Sequence, residues 1–380
     1  MLGPVYYYVI VGGGLAGLQL ALRLKDDVFF KGKKIAILDP SFQINRDKTW
    51  CYWEKNRGRW DFLISADWSK GKFISSYTEK ELELSPYSYK MLTSEAFFEY
   101  ALDEICKSED ISLIEDEITE IDTVKMKAIG KQNTYNATHF FDSRVPSEYL
   151  ETKDYTKIFQ HFKGYHLKTN QPVFNPDQFT MMDFRLTYKN STSFTYILPF
   201  SETEALVEYT FFTPYITEEA IYDTQLKKYI KEYLKLDSYE VLREEQGIIP
   251  MTDFPFDKEN TAEITKIGTG GGWVKASTGY SFKHTEKKVS KIIKNIKSGH
   301  LPSKDLFRKK FKQYDSIFLD VLARRNEKGE QIFTNFYEKN SVEEIFAYLD
   351  EETSRKTDLK IMFSLFDPEF ITSFFRKLKL

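Results

Sequence analysis

The sequence contains few cysteines, few histidines and no long apolar run. Its two cysteines cannot form a disulfide framework and are typical of a reducing compartment. The five histidines are scattered without the spacing of metal ligands, so no metal site is predicted. No segment approaches the roughly 20 apolar residues that span a membrane. The chain also starts without the basic leader of a signal peptide. We therefore expect a soluble or membrane-surface protein.

An excess of charge of one sign is also lacking. Lys and Arg number 54 against 57 Asp and Glu, a net charge of −3, which gives no long-range field for binding nucleic acid. Aromatic residues are abundant instead, with 32 Phe and 24 Tyr. This surplus indicates a large aromatic-lined cavity, although the codon bias of an AT-rich genome explains it equally well. The 380 residues suffice for two or three domains, or for one large α/β unit with insertions.

Glycine is concentrated near the start of the chain, in VIVGGGLAGLQLALRL. A predicted strand over Tyr6–Val11 precedes the glycines, and apolar residues at helical spacing follow them. The spacing of Gly12, Gly14 and Gly17 matches the dinucleotide-binding fingerprint. There the first glycine allows a tight turn, the second lets the backbone approach a pyrophosphate, and the third lets the helix pack closely on the strand.

The helix that follows, beginning around Leu15 and Ala16, directs free N–H groups and the positive end of its dipole toward the phosphates. A second predicted strand, Lys34–Leu38, ends in Asp39, 22 residues beyond Gly17. An acid at this place can accept hydrogen bonds from both hydroxyls of an adenosine ribose. The alternative is a glycine-rich turn with an acid there by chance.

A second glycine cluster lies far downstream, in IGTGGGWVKASTGY. Such a cluster favours FAD over NAD, because the longer cofactor must also be held at its flavin end. A glycine-rich surface loop is the alternative. The cofactor-binding candidates in this segment are Gly268, Gly270, Gly271, Lys275, Ser277, Thr278 and Gly279.

Two further residues are candidates for cofactor binding. Trp50 belongs to an unusual group of tryptophans within residues 42–75, for which core packing is the alternative interpretation. Asp142 follows a predicted strand edge and begins a loop that we assign to the cofactor domain.

The pattern changes after about residue 155. Short β-type runs separated by turn signals predict an antiparallel sheet, inserted into the nucleotide-binding unit as a substrate domain. The chain is helical and Phe-rich after residue 300. We therefore predict a discontinuous cofactor domain (1–75, 90–150 and 245–300), a substrate domain (76–89 and 151–244) and a helical C-terminal region (301–380).

Two predicted helices combine an apolar stripe with basic residues. One carries Val289, Ile292 and Ile296, and the other follows Asp367 and carries Phe370 and Phe374. Basic amphipathic helices can lie on anionic membranes, but ordinary packing with a solvated basic face is the favoured interpretation of both.

Five stretches resemble the FAD-dependent lycopene β-cyclases of bacterial carotenoid biosynthesis. They are 8–18, 47–51, 182–184 leading to 196–200, 205–212, and 247–251 with 268–282, and they lie between residues 6 and 282, an interval of about three quarters of the chain. LVEYT and KASTGYSF are the most specific segments, whereas relatives of many activities share the glycine fingerprint. The family often has an acid pair where this chain has Glu208-Tyr209-Thr210, and commonly has Pro where this chain has Ala276.

The resemblance implies an α/β fold with a Rossmann-type FAD-binding domain like those of glutathione reductase and p-hydroxybenzoate hydroxylase. The implied reaction is a redox-neutral, acid-catalysed closure of the ends of lycopene to β-rings, by way of γ-carotene to β-carotene. FAD reduced by NADPH or NADH stabilises the carbocation. The implied location is cytoplasmic, on the inner face of the membrane that supplies lycopene.

Glu208 is the expected proton donor, since a carboxyl on a mostly apolar strand face has a raised pKa. Asp183 is the second acid candidate, with an ion pair to Arg185 as the alternative. Two other functions stay open: an FAD-dependent monooxygenase acting on an apolar substrate, and a carotenoid-binding flavoprotein without activity.

Overall fold

The structure is a computed structural model that describes residues 5–43, 48–365 and 367–378. Asp47, which begins one of the resembling stretches, lies outside these residues. In chain order the strands are β1 (Val5–Val11), β2 (Ile35–Asp39), β3 (Thr49–Lys55), β4 (Ala66–Trp68), β5 (Lys70–Ile74), β6 (Glu79–Glu83), β7 (Tyr87–Thr93), β8 (Ile111–Glu115), β9 (Ile118–Asp122), β10 (Lys127–Gly130), β11 (Thr134–Asp142), β12 (Lys157–Lys168), β13 (Gln178–Asp183), β14 (Ser193–Pro199), β15 (Glu204–Thr213), β16 (Glu240–Thr252) and β17 (Ile264–Lys266). The helices are α1 (Leu15–Asp26), α2 (Ser94–Cys106), α3 (Ser147–Glu151), α4 (Glu219–Glu232), α5 (Phe282–Lys297), α6 (Lys309–Arg324), α7 (Gly329–Lys339), α8 (Val342–Leu349), α9 (Arg355–Ser364) and α10 (Pro368–Lys377).

The first sheet has the strand order β8-β2-β1-β11-β10-β9, and β17 also pairs with β11. The pairings among β8, β2, β1, β11 and β17 are parallel, as crossover connections through helices require. Their runs of Val, Ile, Leu and Phe are buried, and α1, α2 and α5 contribute apolar side chains to the same core cluster. The chain therefore has the expected α/β class.

The second sheet has the order β16-β12-β15-β14-β13-β5-β6. Its pairings are antiparallel except for that between β13 and β5. Helix α4 packs on one face through Leu226, Tyr229 and Ile230, and helices α6 to α9 contribute to the core on the other face. A short third sheet, β3-β7-β4, lies beside this second core.

Strand pairing places two segments differently from the predicted domain boundaries. The residues of β5 were assigned to the cofactor domain, but they pair with β13 in the second sheet. Strand β16 extends the same sheet as far as Thr252, although residues from 245 onward were assigned to the cofactor domain. Strands that pair with partners this distant in sequence show no local pattern that names the partner. Sequence periodicity alone could therefore not assign β5 and β16 to the second sheet.

Helix α5 is an interior helix. Its apolar residues Val289 and Ile292 are fully buried in the core that α1 also enters, so the interpretation as ordinary packing holds for this helix. Helix α10 differs, since Ile371, Phe374 and Phe375 are exposed. Within the described ranges, every helix is too short or too polar to cross a bilayer.

Candidate active site

The first glycine motif forms the turn between β1 and α1. Gly12 adopts a φ of +108°, which favours glycine, and its N–H donates to the Leu38 carbonyl. A Cβ on Gly17 would lie 2.0 Å from the Gly12 carbonyl oxygen, so only glycine lets the helix approach the strand this closely. A Cβ on Gly14 would meet nothing within 4 Å. The motif thus leaves open space at the start of α1, where Leu15 and Ala16 form the first turn.

Asp39 ends β2 beside this turn. Its carboxylate accepts a hydrogen bond from the Gly13 N–H at 2.7 Å and another from the Ser41 N–H at 3.0 Å. Both bonds fix the position of the carboxylate next to the glycine turn. The predicted contact with a ribose stays a prediction.

The second glycine cluster meets the first in space. A Cβ added to Gly268 would lie 3.2 Å from the Cβ of Ala16. The two glycine motifs therefore adjoin, as binding of one shared cofactor requires. Gly270 and Gly271 have another role. Cβ atoms there would lie 2.3 Å from the Arg144 carbonyl oxygen and 2.5 Å from that of Lys266. These two glycines make room for the protein's own backbone.

Two predicted cofactor ligands are engaged in ion pairs instead. Asp142 is buried and accepts from Arg144 Nε and Lys266 Nζ, each at 2.9 Å. Lys275 Nζ, also buried, lies 2.7 Å from Asp315 Oδ2. It also bonds Glu351 Oε1 at 3.1 Å. Contrary to the prediction, the charged groups of Asp142 and Lys275 hold parts of the chain together, because each buried charge requires a buried partner.

A cavity of about 830 Å³ opens from the second glycine cluster across the second sheet. Its lining is mostly apolar and aromatic, and includes Phe162, Met182, Phe194, Leu206 and Phe212. The sequence-predicted residues Trp50, Ser277, Thr278 and Gly279 all line this cavity. A large, mostly apolar cavity of this kind suits an elongated hydrocarbon substrate.

Glu208 lies on β15 and faces the cavity. It is only 7% exposed, and it shares its strand face with Leu206, Thr210 and Phe212, as the alternation along a strand predicts. Thr210 Oγ1 donates to Glu208 Oε1 at 2.6 Å. Burial, with a smaller contribution from the charge of Glu245, raises the pKa of Glu208 to about 8, while the bond from Thr210 opposes this rise. The carboxyl therefore carries its proton at neutral pH.

Asp183 is not part of this cavity. Its side chain is fully buried and is bound by the guanidinium of Arg185, with Arg185 Nε 3.0 Å from Asp183 Oδ1. The Tyr229 hydroxyl donates to its other oxygen at 2.5 Å. The prediction of Asp183 as a second catalytic acid is therefore wrong, and the ion-pair interpretation is correct.

A network of tyrosine hydroxyls adjoins Glu208. Tyr89 lies 2.8 Å, oxygen to oxygen, from both Tyr196 and Tyr280, and all three side chains line the cavity. Tyr196 is also the cross-strand neighbour of Glu208. Cys51 lies beside this network, and burial raises its pKa to about 12. The sequence analysis missed this cluster because its members come from β3, β7, β14 and the loop before α5.

The cavity reaches the protein surface at α9 and α10. Phe363, Phe374 and Phe375 line it, yet they are 72%, 40% and 60% exposed. Large aromatic side chains exposed together around an opening are typical of surfaces that bind a protein, a ligand or a membrane. The sequence indicated only that α10 is amphipathic, and α9 gave no such signal.

Solved structures of similar fold identify the class of protein. A geranylgeranyl bacteriochlorophyll reductase-like protein from Thermoplasma acidophilum aligns with a TM-score of 0.60 at 12% identity, covering 97% of this chain and 98% of its own. A flavin-dependent brominase aligns at 0.56 with 13% identity, covering 95% and 93%. A 2-methyl-3-hydroxypyridine-5-carboxylic acid oxygenase aligns at 0.58 with 11% identity, covering 88% and 95%. The chain thus has an α/β FAD-binding fold.

The family follows from the sequence comparison. The model of the lycopene cyclase protein family matches residues 8–376, and the chain belongs to this family. A lycopene beta-cyclase from Pantoea ananas is 25% identical over 259 residues, which cover 66% of this chain. The match spans 63% of that relative's length, less than two thirds of it.

Proposed function

We propose that this protein is a lycopene β-cyclase that closes the linear ends of lycopene to β-rings, by way of γ-carotene to β-carotene. The observation that carries this proposal is the Glu208 carboxyl, buried in an apolar cavity with a pKa raised to about 8. Ring closure needs an acid that remains protonated until the polyene arrives. Membership of the family supports the same reaction.

Glu208 supplies the proton in this scheme. The proton adds to the terminal double bond and forms a tertiary carbocation, the neighbouring double bond attacks it, and loss of a proton completes the ring. Product and substrate therefore have the same composition, and no electrons are transferred overall. The hydroxyl of Thr210, which donates to Glu208, remains to stabilise the carboxylate once the proton has left.

The cavity walls protect and stabilise the cation. Their apolar side chains exclude water, which would otherwise trap the carbocation as an alcohol. Aromatic residues such as Phe162, Phe194 and Phe212 present π faces, which attract positive charge. This arrangement suits a hydrocarbon substrate better than the polar aromatic acid of the oxygenase that shares the fold.

The residues present fit FAD. The turn at Gly12 and Gly17 leaves the N-terminus of α1 open, and no side chain caps that helix. Such an open N-terminus is a ready site for a pyrophosphate. Thr278 and Gly279 line the same cavity as Glu208 and would hold the flavin end. When bound and reduced by NADPH or NADH, the flavin supplies negative charge that stabilises a carbocation.

We propose further that the protein takes its substrate directly from a membrane surface, on the inner face of the cytoplasmic membrane. Lycopene dissolves only in lipid, and the cavity opens among the exposed aromatic residues of α9 and α10. Basic residues Arg355 and Lys356 on α9 are also exposed and suit an anionic lipid surface.

Co-expression with a lycopene-producing pathway tests the proposed reaction. We expect red lycopene to become β-carotene of unchanged mass, and Glu208→Gln to abolish the conversion. Glu204→Gln, on the same strand but paired with Lys168, is the matched control and should keep it. An oxygenated product, with oxygen consumed in step with substrate, would favour a monooxygenase. Carotenoid that is bound but unchanged would favour a binding protein.

A further inference from the structure

Two carboxylates flank one glycine in the second sheet. Gly164 of β12 pairs in register with Glu208 of β15 on one side and with Glu245 of β16 on the other. Neighbouring strands lie about 4.8 Å apart, so the Cα atoms of the two acids are roughly 10 Å apart. Both side chains line the cavity and therefore share one face of the sheet.

The missing side chain at Gly164 leaves a gap between the stems of the two acids, next to Leu206. A Cβ there would lie 3.0 Å from Leu206 Cδ1, 3.3 Å from Glu245 Cγ and 3.4 Å from Glu208 Cβ. The gap left by the glycine is thus bounded on both sides by the stems of the acids. Any larger residue would separate them, whereas glycine in the middle of a strand has no benefit for the strand itself.

Glu245 is held in place by hydrogen-bond donors. It is 6% exposed, its Oε2 accepts from Thr49 Oγ1 at 3.1 Å, and Arg243 Nη2 lies 3.4 Å from the same oxygen. A hydroxyl and a guanidinium thus hold one oxygen of the Glu245 carboxylate. Glu208 has a single hydroxyl donor, from Thr210, and is the member of the pair that keeps a proton more easily.

We propose that Glu245 is a positioning residue whose negative charge, brought close by Gly164, keeps Glu208 protonated until a polyene is bound. For its catalytic meaning this inference rests on the proposed function. After the proton has been transferred, the same charge adds to the negative environment that stabilises the carbocation. Two adjacent carboxylates cannot easily both ionise, so one holds the proton for the other.

The other groups around Glu208 do not supply such a charge. Tyr89, Tyr196 and Tyr280 face it from β7, β14 and the loop before α5, and burial raises the pKa of each. Cys51 faces it from β3 and has a pKa of about 12, so it is neutral as well. Asp315 and Lys48 also line the cavity, but Asp315 is paired with Lys275, and neither is among the charges that act on Glu208. Burial is the larger cause of the raised pKa of Glu208, and Glu245 is the charge that adds to it.

Infrared titration of the purified protein tests the proposal without substrate. The carboxylic C=O band that Glu208→Gln removes should disappear around pH 8 in the wild type. In Glu245→Gln we expect its midpoint to fall by roughly one unit, about tenfold in the acid dissociation constant. Glu244→Gln is the matched control, since Glu244 lies on the same strand but pairs with Lys163, and it should titrate as the wild type does.

Two further variants make the test independent of folding defects. Glu245→Asp keeps the charge and should largely restore the wild-type midpoint. Gly164→Ala places a methyl group against Leu206 and the stems of both acids, and should lower the midpoint in the same direction as Glu245→Gln. A wild-type midpoint in both Glu245→Gln and Gly164→Ala would overturn the inference. A shifted midpoint in a protein that does not cyclise lycopene would support the pair and contradict the proposed function alone.

Discussion

The carbonyl oxygen of Gly12 lies 2.0 Å from the place that a Cβ of Gly17 would occupy. Gly14, between them, has open space where its own Cβ would be and a φ of −79°, which any residue can adopt. A side chain at Gly17 would therefore disturb folding, whereas a side chain at Gly14 would disturb only cofactor binding. We predict that Gly14→Val folds but is isolated without FAD, because its side chain occupies the space of the pyrophosphate.

Gly17→Val is the contrasting variant. Its side chain would collide with backbone, so we expect loss of soluble protein or a much lower melting temperature. Absorbance of the bound flavin and circular dichroism distinguish the two results. A Gly14→Val protein with a full complement of yellow flavin would exclude the N-terminus of α1 as the phosphate site.

The sequence could predict the first βαβ unit because its signals are local. Strand β1, the glycine turn and α1 follow one another directly, and each glycine has a separate steric reason. The edges of the second sheet could not be predicted in this way. The pairing of β5 with β13 joins residues more than 100 positions apart, and β16 reaches β12 only after α4 has crossed the sheet.

Loss of the Glu208 proton donor should abolish catalysis and leave the cavity intact. A general acid typically contributes 10²- to 10⁴-fold to a rate, so we predict at least about a 100-fold loss of cyclisation rate in Glu208→Gln. The amide has nearly the same shape and can still accept from Thr210. FAD content and lycopene binding should stay at wild-type levels. Activity within a few-fold of the wild type would exclude Glu208 as the acid.

Activity should depend on pH through the same group. Because Glu208 acts in its protonated form and has a pKa of about 8, the rate should fall as pH rises through about 8. A rate that stays constant from pH 6 to pH 10, measured with reduced flavin throughout, would contradict this assignment.

Burial of Glu208 also predicts a pH-dependent stability. The carboxyl binds a proton in the folded state up to about pH 8, but in the unfolded chain only below its ordinary pKa of 4.5. Between these values the folded state binds more protons, so the free energy of unfolding falls as pH rises, by up to about 1.4 kcal/mol per unit. Glu208→Gln lacks this contribution. The difference in melting temperature, variant minus wild type, should therefore increase from pH 5 to pH 8 and then level off.

The sequence identified one member of the acid pair. Glu208 stood out through a resemblance and through its place on an apolar strand face. Glu245 lies 37 residues away on a strand that the sequence did not reveal, and only the register across Gly164 brings the two together. Asp183 was the second acid candidate from the sequence. Its neighbour Arg185 and the distant Tyr229 engage its carboxylate on the other face of the sheet.

The buried ion pair of Lys275 should matter for stability and not for flavin contact. Lys275→Met leaves Asp315 buried without its cation, and breaking such a pair typically costs about 3–5 kcal/mol. We predict a large fall in melting temperature, with flavin retained per folded molecule. The double variant Lys275→Met, Asp315→Leu should recover much of the lost stability. Flavin loss in a protein of restored stability would instead place Lys275 at the cofactor.

The exposed aromatic residues at the cavity opening should bind lipid. Burying a Phe side chain contributes about 1.5–3 kcal/mol, so the double variant Phe363→Ser, Phe375→Ser should bind vesicles of phosphatidylglycerol and phosphatidylethanolamine about 100-fold more weakly. Phe62→Ser is the matched control, since Phe62 is 62% exposed and does not line the cavity.

Cosedimentation measures binding, and cyclisation of lycopene in detergent shows whether the catalytic centre is intact. Because the substrate is available without a bilayer in detergent, the double variant should keep its activity there and lose it on vesicles. Equal vesicle binding by the double variant and the control would show that another surface meets the membrane.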